Sequence, residues 1–410
     1  MSGSTEDATT VVKECALEAG FDLVKVTSAD VFVRDREAAL ERINTGLMDG
    51  LPWYTESRVL RGSDPQQLLA GARSVISLGL SYFVSGNGDP APPSEKSDAP
   101  SIGTGKVARY ARGRDYHRVM KSRMRDYVHL LNSRLDIDLS ARWYVDDGPM
   151  LDRAAAARSG LGWFGKNTNI LTPSHGSWIF LGQVITGLDL KPDPPLQKTC
   201  GSCVRCIDAC PTGAIVAPYV IDNARCISHL TIENRGPIPL ELRPLVGDWV
   251  FGCDICQDVC PVNRKARPAN APIPNLPQRS GSAGDEPDLE LDLVGLLELT
   301  DETFRVRFQG SPVARAKRVG LQRNACVALG NRRDVNAVPA LLHALKTGDP
   351  LVRGHAAWAL GEIGVSEARE GLLSALSLET DADAKEEIRL AVKRAEIGLA
   401  ISAVSIEQGA

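Results

Sequence analysis

Eight of the ten cysteines fall between Cys200 and Cys260, and their spacing constrains the chain more than any other feature. Cys200, Cys203, Cys206 and Cys210, followed by Pro211, keep the C-x2-C-x2-C-x3-C-P order. In that order three thiolates grip one 4Fe–4S cluster and the fourth crosses to a second. Cys253, Cys256, Cys260 and Pro261 supply a partner run that is one ligand short, because Val250 stands where a full motif has cysteine. The crossing rule assigns Cys200, Cys203, Cys206 and Cys260 to cluster 1. Cluster 2 takes Cys210, Cys253 and Cys256, with Cys226, alone between the runs, as the nearest candidate for its fourth ligand. Zinc, a disulfide set or a three-iron second cluster are the alternatives, and zinc sites rarely need the middle C-x2-C-x2-C step. The spacing predicts single-electron transfer.

A chain of 410 residues has room for two or three domains with their own cores. At 43% hydrophobic, 24% charged and net charge −4, it resembles an ordinary soluble protein, and any nucleic-acid surface must be local. Clusters on this scale require a reducing compartment. The polar start MSGSTEDATT is unlike a signal peptide, and no apolar run reaches the ~20 residues of a membrane span. A cytoplasmic protein is expected.

Val11, Val12, Cys15, Ala16 and Ala19 recur at helical spacing before Gly20, and Phe21–Val26 alternates like a strand. Ala72–Tyr82 reads as a buried strand, and Ser85–Gly105 as a surface excursion. The segment from Val107 to His117, VARYARGRDYH, mixes cations, acids and rings, and Arg118, Lys121, Arg123 and Arg125 continue it along a helix. Such a mix suits a large polar ligand; a solvated helix face is the plainer reading. Trp143–Val145 is a strand leading into Asp146-Asp147-Gly148-Pro149, with a helix over Met150–Arg158 and Pro149 at its first turn. Either aspartate could cap that helix, or a buried one could stay protonated and donate a proton. Gly160–Asn169 is a glycine-rich turn that fits neither a P-loop nor a dinucleotide fingerprint. Trp178–Thr186 is a strand entering the cysteine region.

Beyond Pro261 the chain is basic, then rich in Pro, Ser and Gly as far as Glu286. Further on, Ala325–Gly330 (ACVALG) returns as Ala356–Gly361 (AAWALG), and Leu341-Leu342 returns as Leu372-Leu373 at the same offset. Stacked helical hairpins of HEAT type explain this. Arg305, Arg307, Arg315, Lys317, Arg318, Arg323, Arg332 and Arg333 form a basic patch suited to a phosphate backbone, unless they are scattered surface charge. Cys15 and Cys326 sit on apolar stripes and read as core.

Taken together, RYARGRDYH, VDDGPMLDRAAAARSGLGWFGKNT, GSWIFLG, the cysteine runs, RCISHLTIENRGPIP and the terminal repeats resemble the tRNA epoxyqueuosine reductases, relatives of corrinoid-dependent reductive dehalogenases. The resemblance implies an α/β nitroreductase-like cobalamin-binding core over 1–192 and a ferredoxin-like two-cluster module over 193–268. A linker over 269–300 and α-helical HEAT-like repeats over 301–410, which would bind tRNA, complete the expected plan. It implies base-off cobalamin, as cob(II)alamin and cob(I)alamin, fed by two 4Fe–4S clusters and an unidentified low-potential donor. The expected substrate is epoxyqueuosine at the tRNA wobble position, the expected product queuosine, and the expected protein a monomer that touches no membrane. Asp146 is the implied proton donor, although Asp147 stands where a small polar residue is common. The D-x-H-x-x-G signature of histidine-ligated corrinoids is absent, since Met120 follows Asp115 and His117 where glycine would be. Arg61, Arg109, Tyr110, Asp115, His117, Arg153, Lys166, Asn167 and Thr168 are candidates for the cobalamin pocket. Arg315, Lys317, Arg318 and Arg323 are candidates for tRNA. The competing readings are a corrinoid reductase of a small halogenated or oxidised molecule, and a non-catalytic ferredoxin fused to a docking solenoid.

Overall fold

The computed structural model describes residues 5–84, 103–270 and 290–407. Its first half runs α1 (Thr5–Glu18), β1 (Leu23–Ser28), α2 (Val33–Asn44), α3 (Glu56–Gly62), β2 (Ser74–Ser81) and β3 (Thr104–Val107). α4 (Tyr116–Leu135), β4 (Ala141–Tyr144), α5 (Asp152–Arg158) and β5 (Ile179–Thr186) follow. The cysteine region adds α6 (Ile227–Ile232) and β6 (Trp249–Phe251), and β7 (Glu290–Asp292) comes next. Then come the helices α7 (Leu293–Leu297), α8 (Asp301–Arg307), α9 (Lys317–Arg332), α10 (Val338–Thr347), α11 (Pro350–Ile363), α12 (Ser366–Leu378) and α13 (Ala382–Glu407).

These elements form two compact units, each drawn from three stretches of chain, where three consecutive domains and one linker were expected. Among the described residues the first unit holds 5–84, 113–224 and 254–270, and the second 103–112, 225–253 and 290–407. The expected linker is only partly outside the description. Residues 271–289 lie beyond it, but Glu290–Leu297 folds as β7 and α7, with Asp292 capping the helix. The expected excursion likewise ends early: 85–102 is outside the described residues, while Thr104 and Gly105 pair in β3.

In the first unit an antiparallel sheet has the order β1-β2-β5-β4. Every residue of β2 is buried, and each large apolar side chain removed from water contributes about 1.5–3 kcal/mol. Side chains of neighbouring strand residues point to opposite faces. At Gly182 a Cβ would meet Met120 and Met124 of α4, while the adjacent Gln183 donates to the Asp152 carbonyl of α5. The two helices therefore cover opposite faces. Gln183 also accepts from Ser77 at 2.7 Å, a buried polar link that fixes where α5 starts.

In the second unit β6 and β7 flank β3, parallel and antiparallel respectively. The repeat helices stack through small residues. A Cβ at Gly330 would lie 2.5 Å from the Trp358 ring, and one at Gly361 3.0 Å from the Ala391 carbonyl oxygen, so the repeated glycine marks where successive helices touch. Cys326 is fully buried there, and burial pushes its thiol up to about 12. Cys15 is likewise core. Among the described residues no helix is long and apolar enough to cross a membrane.

Candidate active site and cluster module

The strand β4 delivers Asp146 in the left-handed region, φ 47°, a conformation that aspartate tolerates better than most residues. Its carboxylate is held from α4. Tyr116 donates its hydroxyl to Oδ2, and His117 Nε2 lies 2.6 Å from Oδ1. The other ring nitrogen, Nδ1, is 2.7 Å from Asp115 Oδ1, and Asp115 also caps α4 by accepting from the His117 backbone N–H. Tyr116 is sandwiched between Phe180, with centroids 4.1 Å apart at 6°, and His117. Burial alone would lower the His117 pKa, but the bonds to Asp115 and Asp146 and their charges outweigh it and raise it to about 9. At neutral pH both ring nitrogens therefore donate, and the proton stands against Asp146.

The rest of the loop is also pinned. Asp147 pairs with Lys121 and accepts from the Val145 N–H, and Arg58 of α3 donates to the Gly148 carbonyl. A Cβ on Gly62 would fall 1.7 Å from the Pro149 carbonyl oxygen, so only glycine lets α3 lie this close. Neither aspartate caps α5, because the helix begins two residues later than expected, with Leu151 at its N-cap. Nor is Asp146 buried: its side chain is 53% exposed. The buried acid is Asp152, whose Oδ1 is sealed from solvent without a hydrogen-bond partner. Burial first, then the charges of Asp146 and Asp147, hold its pKa well above the usual carboxylate range. The sequence reading had Tyr116 only within the mix of cations, acids and rings suited to a large ligand, and it missed Asp152, Arg58 and Lys121 as site residues.

The cysteine loops wrap two short helical turns, Arg205–Asp208 and Ile255–Asp258. No disulfide joins any of the ten cysteines, and no group of three or more His, Cys, Asp or Glu among the described residues closes on a single-ion position. Burial raises the Cys206 thiol, and Cys200, Cys260 and Cys203 raise it further; Cys260 is raised by burial, with Cys200 and Cys203 adding to it. These four thiols thus sit within one another's field. Cys210 and Cys256 belong to the first unit; Cys226, at the N-cap of α6, and Cys253 belong to the second.

Lys166 and Asn167 are tied to the cysteine region. Lys166 donates to the Gly201 carbonyl at 2.8 Å and Asn167 to the Cys256 carbonyl at 3.2 Å, so these buried side chains brace cysteine loops. Asn263, another residue the sequence did not single out, ties the turn after Cys260 to Ser177 and Gln257. Exposed Arg153 bonds Thr168, itself at φ 66°, and Arg61 ends α3 in solvent. Arg109 and Tyr110 lie in the second unit, where Tyr110 packs 6.2 Å from Phe251.

Residues 63–147, which span β2 and the Asp146 loop, match the epoxyqueuosine reductase QueG domain (DUF1730). Residues 199–263 match the 4Fe-4S double cluster binding domain, and residues 314–393 match HEAT repeats. The epoxyqueuosine reductase of Cellulophaga algicola is 40% identical, over 77% of this chain and 95% of that protein. The chain belongs to the epoxyqueuosine reductase family. Within the family, the Escherichia coli K12 protein is 36% identical over 86% of this chain and 88% of its own length. A crystal structure of an epoxyqueuosine reductase with an epoxyqueuosine-modified tRNA-Tyr stem loop superposes with a TM-score of 0.83 at 32% identity, covering 96% of this chain and all of that one. The Bacillus subtilis enzyme, solved with its catalytic loop swung out of the active site, gives 0.82 at 31% identity, covering 95% and 100%. This chain is accordingly an oxidoreductase of the family with an iron–sulfur module.

One of the arginines expected to meet tRNA is removed from that surface. Arg323 is fully buried, donating to the carbonyls of Leu230, Asn234 and Gly236 and to Asn324, so it cannot touch a phosphate. Burial, then the charges of Arg235 and Arg243, lower its pKa to about 9. Arg315 pairs with Glu233, and Arg318 with Asp301 at 2.6 Å, while Lys317 is exposed. Arg332 pairs with Asp248.

Proposed function

We propose that the protein reduces epoxyqueuosine to queuosine at the wobble position of tRNA, in the cytoplasm. The observation that carries this reading is the match, along nearly the whole chain, to an epoxyqueuosine reductase holding an epoxyqueuosine-modified stem loop. Converting an epoxide to an alkene and water consumes two electrons and two protons, and the departing alkoxide is a poor leaving group unless it is protonated.

The proposed acid is Asp146. Tyr116 orients its carboxyl group, and His117 keeps a proton at Nε2 for delivery through Asp146 to the departing oxygen. Asp115 steadies the imidazolium from behind. When bound, base-off reduced cobalamin would supply the nucleophile and the electrons at the substrate carbon. The residues present fit such a group: Asp152 Oδ1 and Trp163 Nε1 are sealed polar atoms without partners, and the amide fringe of a corrin offers a donor to one and an acceptor to the other. The nitroreductase-like core would be the four-stranded sheet, with Arg61, Arg109, Tyr110, Arg153 and Thr168 as further pocket candidates. Two 4Fe–4S clusters would be held by Cys200, Cys203, Cys206 and Cys260, and by Cys210, Cys226, Cys253 and Cys256. Arg315, Lys317 and Arg318 remain the proposed tRNA contacts of the repeats.

The test is nucleoside mass analysis of epoxyqueuosine-containing tRNA after anaerobic incubation with reductant, with cobalamin present or omitted. Loss of one oxygen only with cobalamin is expected, and Asp146→Ala should slow it by about 10²–10⁴. No conversion by protein with intact clusters and bound cobalamin would favour a small-molecule corrinoid reductase.

A further inference from the structure

Beside the Asp146 loop lies an aromatic–cationic pair that the reaction scheme leaves unused. Trp53 is 41% exposed on the turn before α3, although a ring of this size is ordinarily drawn inward. Tyr54 meets it edge-on at 5.8 Å and 77°. The Arg58 guanidinium lies 4.9 Å from the Trp53 centroid and also donates to the Gly148 carbonyl, two residues past Asp146. One side chain therefore links the exposed ring to the loop that carries the acid. Tyr54 turns inward from the same turn; burial raises its hydroxyl pKa against the charges of Arg153, Arg42 and Arg58. Arg153, Arg42 and Arg58 thus lie within electrostatic range of the Tyr54 hydroxyl.

We infer that Trp53 and Arg58 form a stacking platform for an unpaired nucleobase of the RNA loop whose modified base reaches Asp146. The inference rests on the functional reading above and extends it to a second nucleotide. Single-stranded loops are recognised by stacking splayed bases on aromatic rings and arginine planes, and the nearby arginines suit the phosphates between them. The Arg58 bond to Gly148 gives the platform a second consequence: a base stacked over Arg58 holds in place the side chain that latches the acid's loop.

Fluorescence anisotropy of a labelled anticodon stem-loop RNA, titrated with the anaerobic holoenzyme, tests this. Trp53→Ala should raise Kd roughly tenfold, the size of one lost base–aromatic stack, and Trp53→Phe should stay close to wild type. A fully paired RNA hairpin stem should bind all three proteins alike. Equal stem-loop affinity for Trp53→Ala and wild type would overturn the inference, as would an equal loss on the paired stem. A wild-type protein that binds no stem-loop would overturn the functional reading, and the platform with it.

Discussion

At neutral pH the His117 ring carries a proton because two carboxylates face its two nitrogens. Its pKa is about 9 in the folded protein against 6.5 unperturbed, so protonation stabilises the fold. That contribution is complete below pH 6.5 and is lost as pH rises through about 9. Asp115 works in the opposite sense: burial raises its pKa, but the His117 bond and charge lower it overall, so its contribution is lost on acidification. His117→Gln should cost about 1–3 kcal/mol near neutrality, with the deficit fading as pH passes 9. Thermal unfolding of both proteins across that range measures it; a deficit independent of pH would remove the imidazolium pair as its source. The neighbouring acids show how burial separates like groups. Asp146 is open enough to meet a ligand, whereas Oδ1 of Asp152, six residues on, is sealed and burial raises that carboxyl's pKa.

Among the elements, helix starts place most of the chemistry. Asp115 caps α4 and thereby presents Tyr116 and His117 together, and Cys226 occupies the N-cap of α6. Thr231 of α6 accepts from the Gly252 N–H at 2.9 Å, and Asn324 donates to both the Thr231 and Val250 carbonyls, so α6 and the end of β6 before Cys253 are tied side by side. Cys226→Ser should therefore lose cluster 2 without unfolding its surroundings, removing about half of the bound iron and leaving the cluster 1 spectrum. Unchanged iron and an unchanged spectrum would place the eighth ligand elsewhere.

For the molecule as a whole, the repeats are part of the second unit's core as well as a candidate tRNA surface. Arg323 satisfies three backbone carbonyls, one within α6 and two just after it, and Asn331 bonds the Arg243 and Gly247 carbonyls. Arg323→Ala should cost about 2–3 kcal/mol by stranding those buried acceptors. Denaturant unfolding would show it, while stem-loop affinity measured on the folded fraction should not change. A stable variant with weakened RNA binding would return Arg323 to the tRNA surface. Removing the repeats would likewise strip partners from residues 230–250, so truncation does not isolate RNA binding.

Much of this was legible in one dimension. The cysteine spacing, the helix and strand periodicities and the repeated Ala-Leu-Gly motif are local patterns, set by backbone geometry and by the reach of a few consecutive side chains, whereas Asp146 was singled out only by the family resemblance. What needed three dimensions was whatever depends on burial and on partners distant in sequence. Only packing could seal Asp152 rather than Asp146, turn Lys166 and Asn167 onto cysteine loops, draw Arg323 from surface to core, and lay Arg58 between Trp53 and Gly148. A charge's role depends on its solvent and its counter-ion, and neither is written next to it in the chain.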